Sequence, residues 1–164
     1  MGTEELQDKN YSKKIAISSM IMAAYIVLTV AFAPISYGPV QVRLAAGLYT
    51  LAAPMPFVTM PLMIATALAN WFGGLGVLDV IFGPLATGAA CLGCWLFRCK
   101  RWLIPAAIPL FSAPVIAGFL SVILQLPFWV LLIQIAIGQA IAAYTIGLAV
   151  LAAHDIYDRR NEGI

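Results

Sequence analysis

R-L-A-A-G-L-Y-T-L-A-A-P-M-P-F-V-T-M-P-L-M-I-A-T-A-L-A-N-W, Arg43 to Trp71, is the stretch on which the topology turns. Pro54, Pro56 and Pro61 interrupt an otherwise apolar run. It forms either one kinked membrane span or a hairpin of two short helices. The basic residues on either side decide between these. Lys9, Lys13 and Lys14 precede the first apolar run and place the N-terminus in the cytoplasm by the positive-inside rule. The next basic cluster, Arg98, Lys100 and Arg101, comes after the run Val77 to Phe97. One span over 43–71 would put that cluster outside; two put it inside. The rule therefore selects two short helices, each near 20 Å at ~1.5 Å per residue and so short of the ~30 Å hydrocarbon core. Broken helices of this kind are where membrane proteins place binding sites.

The remainder of the chain is consistent with that frame. Of its 164 residues 63% are hydrophobic and 10% charged, with a mean hydropathy of +0.97. A soluble domain carries about 25% charge, so here the bilayer is the solvent. The expected architecture is all-α, a polytopic bundle of six transmembrane helices in one domain: a cytoplasmic segment 1–14, a membrane domain 15–153 and a cytoplasmic tail 154–164. The first helix is Ile15 to Ala33, with the polar residues before it frayed or interfacial. Ala31-Phe32-Ala33 imitates a signal cleavage site, but 19 residues suit a span and Pro34 argues against cleavage. The fourth helix is Val77 to Phe97 and the fifth Trp102 to Leu124. Gln125-Leu126-Pro127 makes a turn, and the sixth helix, Phe128 to Ala153, is about 40 Å long and must tilt or protrude. Both termini then lie in the cytoplasm, and the loops near 34–42, 70–76 and 125–128 lie outside. A net charge of +2, with the basic residues at helix ends, excludes nucleic acid as a partner.

Against this apolar background a few polar residues stand out. N-W-F-G-G-L-G-V-L-D-V-I-F-G-P-L-A-T, Asn70 to Thr87, holds an amide, four glycines and the carboxylate Asp79. An ionisable group at membrane depth costs at least ~2.5–3.5 kcal/mol and marks a functional site. Asn70 and Asp79 offer acceptors and an amide for a heterocycle with adjacent N–H groups, with Trp71, Phe72 or Tyr37 for stacking. Arg43 and Gln41 lie at the outer edge, and Gln134 and Gln139 are on the last helix. The substrate-binding set is thus Asn70, Asp79, Arg43, Gln41, Tyr37, Trp71, Gln139 and Gln134. Each has a plainer reading. Asp79 would pair with Arg43 to hold helices together, Asn70 would cap the next helix, Arg43 would snorkel to the headgroups, and the glutamines would bond neighbouring helices. On the first helix Ser19 and Ala23 form a small-x-x-x-small stripe that admits a second helix closely.

Nothing in the chain points to catalysis. There is no G-x-x-x-x-G-K-[ST], no H-E-x-x-H, and no Ser, His and Asp placed together in the membrane. Cys91 and Cys94 sit i, i+3, but zinc wants four ligands and the lone histidine, His154, is far away. Packed thiols, no metal and no cofactor are expected.

F-A-P-I-S-Y-G-P-V-Q-V-R-L, together with the Asn70–Thr87 motif, resembles the QueT family of queuosine-precursor transporters. These are substrate-binding S components of energy-coupling factor transporters. The resemblance runs from the first helix to the sixth. It implies a six-helix prokaryotic membrane protein that binds a 7-deazaguanine-type base. It also implies a transmembrane coupling subunit and two ATPases as partners, which suits the missing P-loop. Ser19-x-x-x-Ala23 matches the motif with which S components dock on the coupling subunit. Two acids usual in the family are absent. Its R-x-x-E reads Arg43-Leu44-Ala45-Ala46 here, and its Gly-Glu in the last helix reads Gly138-Gln139. The alternatives are an S component for another vitamin or heterocycle, and a structural subunit whose polar residues only hold helices together.

Overall fold

The computed structural model describes residues 3–36, 43–73 and 76–162, with side chains over 10–36, 43–73 and 76–160. Tyr37 and Gln41 lie outside the described residues. The described chain is helical: α1 (Thr3–Ala31), α2 (Ala33–Ser36), a 3-10 helix (Leu44–Ala52), a 3-10 turn (Pro56–Val58), α3 (Thr59–Gly73), α4 (Val77–Leu96), α5 (Leu103–Leu124), α6 (Phe128–Ala142), a π segment (Ala143–Gly147) and α7 (Leu148–Glu162). Five stretches are long and apolar enough to cross a membrane: Asn10–Ala31, Pro56–Gly73, Val77–Leu96, Leu103–Leu124 and Phe128–Arg160.

The proline-rich stretch breaks into two helical segments, as expected, and of these the second, Pro56–Gly73, is long and apolar enough to cross a membrane. Met55, which precedes Pro56, is extended (φ −129°, ψ 74°), as the residue before a proline prefers, and it separates the 3-10 helix from the Pro56–Val58 turn and α3. Pro56 and Pro61 sit in first turns, where no backbone N–H is needed. The first segment is not an α-helix, however. Leu44–Ala52 is 3-10, about 18 Å long at ~2.0 Å per residue. Such a run is long for this helix type and survives at membrane depth only inside protein. Every residue from Ala45 to Ala52 is buried.

A second distortion lies against it. The 3-10 helix packs on the π segment of the last span, and a Cβ at Gly47 would lie 2.9 Å from the Gly147 backbone nitrogen. Glycine is required on this contact for that reason. The Thr50 hydroxyl is shared between the carbonyls of Gly47 (2.7 Å) and Gly147 (3.2 Å), so it satisfies a carbonyl in each distorted segment. The larger core gathers around this pair, with Tyr25, Leu62, Ile108 and Leu151. A smaller core of Phe119, Leu120, Leu131 and Ile135 joins α5 to α6 beyond α4.

Three boundaries differ from the hydropathy reading. α1 begins at Thr3, so the polar residues before Ile15 continue the helix rather than fray; Glu, Gln and Lys are good helix formers and nothing there stops it. α7 likewise runs on to Glu162 through the polar tail. α3 reaches Gly73, so Asn70 and Trp71 lie in a helix and not in a loop. The chain runs back and forth between two ends. Lys13 lies over the Tyr157 ring, Lys14 over Phe57, and Arg101 pairs with Asp155, which puts the start of α1, the 56–58 turn, the α4–α5 turn and α7 at one end. Eight of the nine Lys and Arg residues belong to this basic end by chain position. The ninth, Arg43, is at the other end with Asp79.

Candidate functional site

Two helical stripes build the site. Leu62, Thr66 and Asn70 recur every four residues on α3, and Asp79, Gly83 and Thr87 do so on α4. Residues four apart share a helix face, and the two faces meet in antiparallel sense. Thr66 meets Thr87 (2.9 Å between hydroxyls), and the Asn70 amide nitrogen donates to the Asp79 backbone carbonyl (2.9 Å). Gly83 makes that bond possible, since a Cβ there would collide with the Asn70 amide. Asn70 therefore does not cap α4: it bonds a carbonyl, and the residue that opens the helix is Gly76.

Below this pair lies a chain of hydroxyls. Thr87 donates to the Tyr49 hydroxyl (2.9 Å), which bonds the Tyr25 hydroxyl (2.7 Å). Thr66 also donates to the Leu62 carbonyl (2.9 Å). The Tyr25 and Tyr49 rings stack at 5.7 Å. Arg43, at the head of the 3-10 helix, lies within electrostatic reach of Tyr25, Tyr49 and Asp79. Four elements are thus tied together: α1 by Tyr25, the 3-10 helix by Arg43 and Tyr49, α3 by Thr66 and Asn70, and α4 by Asp79 and Thr87.

Arg43 is buried, at 7% exposure, so it does not snorkel; Asn70 and Asp79 are 1% exposed. Burial of polar groups is tolerable when they are hydrogen-bonded. Here two are not: among the described residues Asn70 Oδ1 and Asp79 Oδ2 have no hydrogen-bond partner. A cavity of about 200 Å³ is lined by Asn70, Trp71, Gly76, Val77 and Val80, and Asp79 belongs to the same turn of α4. Pro84 in α4 lacks the N–H that would bond the Val80 carbonyl, which adds an acceptor at the cavity wall. The site is chemically a cluster of acceptors backed by one cation.

The other sequence candidates separate from this cluster. Gln139 is buried on α6, but its Oε1 accepts from Ser112 on α5 (2.7 Å). Gln134 is half-buried on α6 and makes no hydrogen bond among the described residues. Trp71 lines the cavity with an outward ring, 71% exposed, as suits an interfacial tryptophan. Ser19 and Ala23 are both exposed on α1. Cys91 and Cys94 are buried free thiols, and Cys94 donates to the Ile104 carbonyl (3.4 Å). No group of three or more metal-ligating side chains occurs among the described residues. Thr66 escaped the sequence reading; its signal was the four-residue spacing to Asn70, opposite the same spacing from Asp79 to Thr87.

Compared with known proteins, residues 15–155 match the family model described as QueT transporter. No curated protein and no solved structure matches the chain.

Proposed function

Because the chain belongs to the QueT transporter family, a family of transporters rather than enzymes, we propose that it is the substrate-binding S component of an energy-coupling factor transporter and takes up a queuosine precursor of the 7-deazaguanine type. The observation that carries the reading is the pair of buried acceptors, Asn70 Oδ1 and Asp79 Oδ2, without a partner among the described residues, with Asn70 lining a cavity. A guanine-like edge presents adjacent N–H donors, the complement of those acceptors. A cavity of about 200 Å³ falls below the ~300–1,000 Å³ of drug-sized sites and suits one or two rings. Tyr37 and Gln41, whose residue types suit stacking and hydrogen bonding, are proposed as further ligand contacts, and Trp71 lines the cavity. Gln139 and Gln134 lie on α6, apart from the Asn70–Asp79 cluster, and are assigned to the 7-substituent from the family pattern alone.

That substituent is a cation in the aminomethyl base and neutral in the cyano base. A buried cation wants a counter-ion. Ala46 and Gln139 stand where the family places acids, so this chain favours the neutral base more than its relatives do. Titration calorimetry of both bases against wild type and Gln139→Glu tests this. The expected result is binding of both, with the preference moving toward the aminomethyl base in Gln139→Glu. Binding of neither base would remove the substrate assignment. An aminomethyl preference in wild type that Gln139→Glu leaves unchanged would remove the charge argument alone.

Transport needs partners: a transmembrane coupling subunit and two ATPases. The exposed small residues Ser19 and Ala23 suit the docking of a helix. Ser19→Leu or Ala23→Leu should abolish uptake and leave calorimetric binding intact; lost binding in a folded variant would mean that this face meets the ligand instead. The concentration of basic residues at one end orients that end, with both termini, toward the cytoplasm of a prokaryotic cell. Cys99 is the exposed cysteine at this end, and an impermeant thiol reagent should reach it only in permeabilised cells. Labelling in intact cells would invert the topology.

A further inference from the structure

A second cavity, of about 670 Å³, opens at the basic end between α1 and α7, well away from the Asn70–Asp79 site. Its floor is apolar: Ile17 and Met20 on α1, Leu51 and Met55 from the hairpin, Val150 on α7. Its mouth is cationic. Lys13 Nζ lies 5.9 Å from the Tyr157 ring centre, and Lys14 Nζ lies 5.7 Å from that of Phe57. Ring faces hold ammonium groups at this range, so the two charges of α1 are held toward α7 and the hairpin respectively. Neither lysine has a carboxylate partner among the described residues. Asp158, an acid of the lining, is engaged by His154 on its own helix (3.3 Å).

We propose that this cleft is a binding site for one anionic phospholipid, with the phosphate between Lys13 and Lys14 and an acyl chain along Ile17 and Met20. The layering fits. Lys14 to Met20 spans about 9 Å along α1 at ~1.5 Å per residue, the step from a headgroup into hydrocarbon. Met20 is 73% exposed, so the floor is open sideways to the bilayer. Basic pockets between membrane helices are suited to acidic headgroups. The Ser19–Ala23 stripe points roughly a third of a turn away round α1 at 3.6 residues per turn, so lipid and a docked helix occupy different faces.

The test uses the purified, delipidated chain in neutral detergent and monitors the melting midpoint. Phosphatidylglycerol should raise it by ~3 °C or more, as a ligand of the folded state does. Phosphatidylcholine at the same mole fraction, and millimolar inorganic phosphate, should not. Lys13→Gln/Lys14→Gln removes the charges and Met20→Trp fills the floor; each should abolish the difference between the two lipids. Native mass spectrometry gives a readout independent of stability: one phosphatidylglycerol retained by wild type, none by either variant. An equal shift from phosphatidylcholine, a shift reproduced by phosphate alone, or undiminished retention by the double variant would overturn the proposal.

Discussion

At one end of the bundle Arg101 and Asp155 pair with their side chains still 49% and 39% exposed. At the other, Arg43 and Asp79 are 7% and 1% exposed. The residue types are the same and the energetics are opposite. An exposed pair gains about 0.2–1 kcal/mol, because water screens it and two long side chains lose freedom. A buried pair forfeits several kcal/mol of hydration per ion and recovers it only through good geometry and full hydrogen bonding. The Arg43–Asp79 end does not reach full bonding among the described residues, where Asp79 Oδ2 is left over. A stable fold gains nothing from an unbonded carboxylate oxygen; a binding site does. On the proposed reading, the basic end orients the chain and the buried end serves the ligand.

The largest effect should come from removing one of these two buried charges, which act on each other electrostatically. Arg43→Ala leaves the Asp79 carboxylate uncompensated and should cost about 3–5 kcal/mol of stability, measured by denaturation in detergent. The double variant Arg43→Leu/Asp79→Leu should recover most of it, since an apolar replacement of a buried pair is often neutral. A loss below ~1 kcal/mol for Arg43→Ala would place this pair in the same class as Arg101–Asp155 and end the distinction.

Next in size is Asp79→Asn. It keeps the shape of the side chain and the backbone carbonyl that Asn70 bonds, removes the charge and turns one acceptor oxygen into an amide donor. Hydrogen bonds to a charged partner are worth roughly 1.5–3 kcal/mol, so ligand affinity should fall about ten- to a hundredfold. Calorimetry measures the affinity, and a melting curve of the apo protein separates lost binding from lost fold. Unchanged affinity would move the ligand away from Asp79, leaving the pair a purely structural one.

The two ends also differ in how far they could be read from the sequence alone. The division of 43–71 into two segments was legible because charge placement at the ends sets the parity of crossings. Asn70, Asp79 and Arg43 were legible because amides and ions at membrane depth are costly. The 3-10 form of Leu44–Ala52 and the π segment at Ala143–Gly147 were not. Each exists through the other, by the approach of Gly47 to Gly147 and the shared Thr50 hydroxyl, and no local pattern records a contact between residues a hundred positions apart. Thr66 was hidden for a different reason. A threonine in a membrane helix can satisfy itself on its own preceding turn, and Thr66 does so through the Leu62 carbonyl. Its second partner, Thr87, emerges only once α3 and α4 are paired. Gln139 stood out in the sequence for its amide, which the fold places against Ser112.

The smallest effect belongs to the exposed pair, and it sharpens the contrast most cleanly because it is measured as a coupling. Arg101 and Asp155 tie the α4–α5 turn to α7. A double-mutant cycle with Arg101→Gln and Asp155→Asn isolates their interaction from the separate cost of each change. The coupling should be at most ~1 kcal/mol. It should shrink further in ~1 M salt, where the screening length falls to about 3 Å, and ligand affinity should be unchanged in every arm. The same cycle on Arg43 and Asp79 should give a larger coupling that salt weakens less, because both partners are under a tenth exposed. If salt erased both couplings alike, water would reach Asp79 freely, and the unbonded oxygen of its carboxylate would no longer argue for a ligand.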